Sequence, residues 1–191
     1  SAFFGVRRQV TTATQAAGLL GLDIIRSLVL TSGVFQSAAN RKMPARFSMD
    51  ALWEHSMMVG GVAQTIGKQA GMGEGIRSES LTAGLLHDAG KLLLAAGFIK
   101  EYGEVVRIVL AEKKPFAAVE REFFGCSHAE VGAYLLGIWG LPDPIVEAVA
   151  FHHRTTDSLP ESFTPLIAVS LANVFSYENE DYSNEEFSRL K

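Results

Sequence analysis

The chain has 191 residues, 48% of them hydrophobic and 20% charged, with a formal net charge of −4. That length is enough for one domain with a sizeable core, and the acidic balance without basic runs argues against a nucleic-acid-binding surface. No stretch approaches a membrane span and no signal peptide opens the chain, while the single cysteine, Cys126, fits a reducing compartment. The expected location is therefore the cytoplasm.

Hydrophobic spacing is helical along the whole chain. Thr11 or Thr12 caps a short helix through Ala16, Leu19 and Leu20 that stops at Gly21. Ile24, Ile25, Leu28 and Val29 make the apolar stripe of the next helix, which fades by Ala39 and Asn40. After a connector at 44–47, a long helix is predicted over 49–70, with Leu52, His55, Met58, Val59 and Val62 along one face. The glycine run at 71–75 follows a helix rather than a strand, which argues against a phosphate loop.

Ser78 or Ser80 is expected to cap a helix that carries Leu81, Leu85 and Leu86 into His87 and Asp88, with a short helix or turn at 91–96. Residues 98–112 are amphipathic through Ile99, Tyr102, Val105, Val106 and Val109, and Pro115 opens a helix to Phe124. Ser127 caps a helix through Val131, Tyr134, Leu135 and Ile138, stopped at Gly140, and Pro142 and Pro144 open one that leads to His152 and His153. The last clear helix is 163–175, and 176–191 reads as an acidic C-terminal helix or tail. No alternating strand pattern of useful length interrupts this series. The fold class is all-α, a compact multi-helix bundle.

The chemistry concentrates at Gly84-Leu85-Leu86-His87-Asp88-Ala89-Gly90-Lys91. An imidazole beside a carboxylate is a mixed nitrogen and oxygen pair that borderline divalent metals accept. A charge placed directly after an apolar run is costly to bury unless it is paired or metal-bound. The other histidines are His55, on the inward face of the long helix, His128, just after a helix cap, and His152 and His153, at the end of another helix. Inward faces and helix ends are where ligands from separate helices of a bundle meet. Lys91, one turn beyond Asp88, would place an ammonium beside a bound phosphate. A buried hydrogen-bonded network without metal is a further reading of the same residues.

The order His55, His87-Asp88, Lys91 resembles the HD superfamily of metal-dependent phosphohydrolases. Further stretches make the chain similar to the HDOD family, the HD-related output domain of bacterial signalling proteins. These are Ser1-Ala2-Phe3-Phe4-Gly5, Gln15-Ala16-Ala17-Gly18-Leu19-Leu20-Gly21-Leu22, Leu52-Trp53-Glu54-His55-Ser56, Ala83-Gly84-Leu85-Leu86-His87-Asp88-Ala89-Gly90-Lys91, His128-Ala129-Glu130-Val131-Gly132-Ala133, Trp139-Gly140-Leu141-Pro142 and His152-His153. The resemblance covers 1–175 and implies an HD-like domain there, together with an N-terminal helical segment expected before Ser1.

Comparison with the related HD-GYP cyclic-dinucleotide phosphodiesterases implies that His55, His87, Asp88, His128, His152 and His153 stand at metal-ligand positions, with Asp88 bridging. It implies one or two divalent ions, Fe, Mn, Ni or Zn. The chain departs from that family twice. Asn173 stands where the last aspartate ligand is expected, which offers a weaker, neutral oxygen. Arg154-Thr155-Thr156-Asp157 follows the histidine pair in place of a Gly-Tyr-Pro motif, which argues against cyclic-di-GMP hydrolysis. The implied function is a signal-transduction output module that works through protein contacts, joined to a receiver or sensory domain, with a vestigial or structural metal site. The alternative is a metal-dependent phosphohydrolase or phosphodiesterase in which Asp88 and Lys91 are catalytic.

Overall fold

The computed structural model describes residues 22–39, 41–154 and 162–180. The elements are α1 (Leu22–Ala39), α2 (Met49–Gln69), α3 (Glu74–Leu86), α4 (Ala89–Gly97), α5 (Ile99–Glu112), α6 (Phe116–Phe124), α7 (His128–Ile138), α8 (Asp143–Phe151) and α9 (Pro165–Glu180). Among the described residues there is no strand, as the helical periodicity requires. The expected helix at 11–20 and the tail beyond 180 lie outside the described residues. Among the described residues no helix is long and apolar enough to cross a membrane.

Three apolar clusters hold the helices together. One joins Val34 and Phe35 of α1 to Leu52, Leu86, Leu92, Leu136 and Val149. A second packs α2, α3, α8 and α9 through Val59, Ala63, Ala83, Ala148 and Val169. A third joins Leu94 of α4 to Tyr102, Val105 and Val119 of α5 and α6. Helix α2 follows directly from its sequence. Ser48 caps it by accepting a hydrogen bond from the Ala51 amide at 3.1 Å, and Leu52, His55, Ser56, Val59, Gly60 and Ala63 recur as one buried stripe.

Several boundaries and faces differ from expectation. Helix α3 begins at Glu74, so Ser78 and Ser80 are internal; the Ser80 hydroxyl donates to the Ile76 carbonyl instead of capping. The buried stripe of α1 is Ser27, Thr31, Val34, Phe35 and Ala38, and Val29 is 67% exposed. The Ser27 and Thr82 hydroxyls hydrogen-bond at 2.5 Å, which lets a polar pair sit inside the α1–α3 contact. Met58 and Val62 are only half-buried. The last helix starts at Pro165 and runs through the buried Ser176 to Glu180.

Two glycine crossings bring the backbones unusually close. A Cβ on Gly84 would stand 2.7 Å from the Gly60 Cα, where α3 crosses α2, and a Cβ on Gly90 would overlap the His128 carbonyl, where α4 meets α7. Gly84 and Gly90 flank His87 and Asp88, so both crossings lie within a turn of the histidine–aspartate pair.

A buried histidine–aspartate centre

His87 and Asp88 are the two-residue joint between α3 and α4. Asp88 occupies the N-cap of α4 with φ −101° and ψ 8°, the sparsely populated bridge region, yet its side chain makes no cap hydrogen bond. The carboxylate turns instead into a cluster of imidazoles. Its Oδ2 is 2.6 Å from Lys91 Nζ, 3.5 Å from His87 Nε2 and 3.7 Å from His55 Nε2. Its Oδ1 is 3.1 Å from His128 Nε2 and 3.7 Å from His152 Nε2.

Two overlapping ligand sets result. His55, His87 and Asp88 form one; Asp88, His128, His152 and His153 form the other, each with its donor atoms within 4.8 Å of one another. All five histidines of the chain are therefore gathered around one carboxylate. His152 and His153, neighbours in sequence, join the same set with ring centroids 3.9 Å apart.

The histidines are held by their outer nitrogens. His87 Nδ1 donates to the Gly84 carbonyl at 2.7 Å, and His152 Nδ1 donates to the Val149 carbonyl at 2.8 Å. Each ring follows its helix directly and takes up one of the last carbonyls that an α-helix leaves unpaired. A carbonyl only accepts, so both rings carry their proton on Nδ1 and turn the Nε2 lone pair inward. His128 does the same through a carboxylate, its Nδ1 donating to Glu120 Oε2 at 2.5 Å. This outer-nitrogen anchoring is how metal-ligating histidines are oriented.

Electrostatics agree with this arrangement. Burial, opposed by the Asp88 charge, lowers His87 to about 3. Burial, reinforced by the His87 and His153 rings, also holds His152 well below its usual value. His153 has an edge in solvent but a ring nitrogen enclosed beside His128, and it is lowered to about 4. Burial opposes ionisation of Asp88, but the Lys91 ammonium, then His87 and His128, hold its carboxyl well below the usual range. His128 is moved the other way: burial and Lys91 lower it, and hydrogen bonds to Asp88 and Glu120 raise it by more.

An acid-sensitive metal-free state follows. His87, His152 and His153 all titrate lower when folded than when unfolded. The unfolded chain then takes up protons first, and stability falls as the pH drops from about 6.5 toward each folded value. The buried His87 and His152 each contribute a slope of up to about 1.4 kcal/mol per pH unit in that window, and the exposed His153 less because solvent screens it. His128, raised, adds nothing to the loss on the acid side. Thermal melts in chelator from pH 7.5 to 4.5 are expected to show Tm falling steeply below about pH 6; a flat profile to pH 5 would contradict the neutral buried assignment.

The donor set fits a divalent ion. Imidazole nitrogens and a carboxylate are the ligands that Zn, Fe, Mn and Ni accept. His152 Nε2 is buried without a hydrogen-bond partner among the described residues, a costly state for a polar atom outside such a site. Asn173 Oδ1 is buried and unpartnered in the same sense, on α9, which packs against α2, α3 and α8.

Glu120 and the hydroxyl of Tyr102 were not singled out from sequence as supports of this centre. Glu120 of α6 is fully buried; its Oε1 accepts from the Tyr102 hydroxyl at 2.7 Å and its Oε2 from both the backbone and ring nitrogens of His128. The available signal was a glutamate three residues after Ala117, on the apolar side of α6. Ser127 begins α7 as expected, in a capping box with Glu130, and so delivers His128 at the first turn.

The HDOD domain family matches residues 1–155, and the chain belongs to that family. An HDOD domain protein of unknown function from Geobacter sulfurreducens has 28% sequence identity and a TM-score of 0.77, the match covering 92% of this chain and 57% of that one. The MmoQ response regulator of Methylococcus capsulatus is 28% identical with a TM-score of 0.58, over 91% of this chain and 67% of that one. An uncharacterized protein of Treponema pallidum is 27% identical over 182 residues, 91% of this chain and 33% of its own length. The chain thus spans about a third of the curated relative it matches and little more than half of the Geobacter structure.

Proposed function

We propose that this HDOD domain is the output module of a bacterial signalling protein in the cytoplasm, acting through protein contacts and built around a structural divalent-metal site on Asp88. The observation that carries the metal assignment is the inward Nε2 of His87, His128 and His152, each fixed by an outer hydrogen bond and facing the same carboxylate. His55 and His153 complete the two ligand sets, and Asn173, whose Oδ1 is buried and unpartnered among the described residues, would add a neutral oxygen. The signalling assignment is supported by family membership and by the likeness to a response regulator. An attached receiver or sensory domain is the expected source of the input.

Metal analysis tests this reading. Protein purified without chelator or histidine tag is expected to carry one or two equivalents of Fe, Mn, Ni or Zn. Free ion at one hundred times its Kd would add about 2.7 kcal/mol to stability. A chain that is metal-free as purified and gains no stability from added zinc or manganese contradicts it.

A second reading, a metal-dependent phosphohydrolase, is favoured by Lys91. This lysine is buried, with its ammonium 2.6 Å from Asp88 Oδ2 and 5.0 Å from the Phe116 ring centroid. When bound, a divalent ion supplies Lewis acidity and lowers the pKa of water. Lys91 would stabilise charge on a phosphoryl group and Asp88 would hold the site together. Phosphodiester hydrolysis lost in Asp88→Ala but kept in the exposed control Glu104→Gln would support this reading over a purely structural site.

A further inference from the structure

The third apolar cluster sets α5 and α6 apart. These helices pack on each other, α5 also on α4 and α6 on α7, and among the described residues neither makes an extensive contact with α2, α3, α8 or α9. The α5–α6 pair is therefore a hairpin attached along one side of the bundle. It carries solvent-facing apolar groups: Leu110 and Phe123 are exposed, as is Phe98 just before α5, with Phe98 and Phe124 rings 5.3 Å apart.

One buried polar chain connects this hairpin to the histidine–aspartate centre. Tyr102 of α5 donates to Glu120 of α6 at 2.7 Å, Glu120 accepts from His128 of α7 at 2.5 Å, and His128 Nε2 lies 3.1 Å from Asp88 Oδ1. Tyr102, Glu120 and His128 are all without solvent exposure. His87 and His152 are anchored by carbonyls of their own helices, but His128 is anchored by a side chain of another helix. A buried carboxylate is costly unless every oxygen is engaged, and both oxygens of Glu120 are.

We propose that Glu120 is a positioning residue that couples metal occupancy at the centre to docking of the α5–α6 hairpin. The inference rests on the metal-site reading above and adds its regulation. An ion on the set formed by Asp88, His128, His152 and His153 draws His128 into one orientation. His128 holds Glu120, and Glu120 holds Tyr102, so the hairpin is fastened more tightly when the ion is present. By linkage, a partner that grips the hairpin in its docked position raises metal affinity by the same factor. The apolar groups on the hairpin are then presented in a metal-dependent way.

Amide hydrogen exchange with and without zinc, in the wild type and in Glu120→Gln, tests the coupling, with zinc affinity measured by chelator competition. In the wild type, zinc is expected to slow exchange in α5 and α6 by tenfold or more as well as around the ligands. Glu120→Gln is expected to bind zinc about 10–100-fold more weakly. At saturating zinc it should still protect the residues around His55 and His87 while leaving exchange in α5 and α6 unchanged. A merely structural role for Glu120 would raise exchange equally with and without metal. Tyr102→Phe keeps the ring against Phe47 and Phe124 and removes only the hydroxyl, so it carries the test if the glutamine variant does not fold. It is expected to reduce the zinc-dependent protection of α5 and α6 by about 3–10-fold. Zinc bound by the wild type with unaltered exchange in the hairpin overturns the coupling alone. A wild-type chain that takes up no zinc overturns the metal reading and the coupling with it.

Discussion

Replacing Gly90 with alanine is expected to cost about 3–5 kcal/mol of stability and to abolish metal binding together with the native α4–α7 contact. The added methyl would overlap the His128 carbonyl, and it would also stand 2.8 Å from the Gly132 nitrogen. Backbone is the obstacle on both sides, so no rotamer change relieves it. The helices must separate, and separation moves His128 away from Asp88 because both are within two residues of the crossing. Gly137 provides the contrast on α7 itself: nothing lies within 4 Å of the position its Cβ would take. Gly137→Ala is expected to raise stability by about 0.5–1 kcal/mol through helix propensity alone. Denaturant midpoints for the pair measure this, and equal effects would show that the crossing is not close-packed.

The second large effect is expected at Asp88. Asp88→Asn keeps the shape of the side chain but removes the only carboxylate common to both ligand sets. Removing an outer partner of a ligating histidine already lowers affinity 10–100-fold, so losing the shared ligand should weaken metal binding by more than about 100-fold. The substitution also removes the carboxylate paired with the buried Lys91 ammonium, at a cost of about 3–5 kcal/mol. Asp88→Asn combined with Lys91→Met removes both charges and is expected to recover most of the stability without recovering the metal. Calorimetry and metal titration of the single and double variants separate the two effects. Recovery of metal binding in the double variant would mean that Asp88 is not a ligand.

Much of the helical framework was legible because its signals are local. Ser127 with Glu130, the proline before α6 and the repeats on α2 and α5 each act within a turn or two. Helix α3 was misplaced because Gly73 and Gly75 read as a break, whereas Gly73 serves as the N-cap residue and packing tolerates Gly75 in the first turn. On α1 the exposed Val29 and the buried Ser27 reverse their usual preferences, since Thr82 supplies a partner that only the fold brings near.

The histidines were legible as a set because they are few and stand at helix ends or on an inward face. Glu120 was not, because an acidic residue in Val119-Glu120-Arg121-Glu122 looks like surface charge until Tyr102 and His128 enclose it. Nor could sequence divide the ligands between the two oxygens of Asp88, which depends on how four separate helix ends converge.

That division has a thermodynamic consequence. The two ligand sets share a single negative charge, and Lys91 already draws on its Oδ2 side. A first cation would share the carboxylate with Lys91 alone, while a second would meet a neutralised group and the repulsion of its neighbour. With the metal site proposed above, filling would be anticooperative, the second step displaced to higher free-ion concentration, and the domain would respond to ion supply in two graded stages.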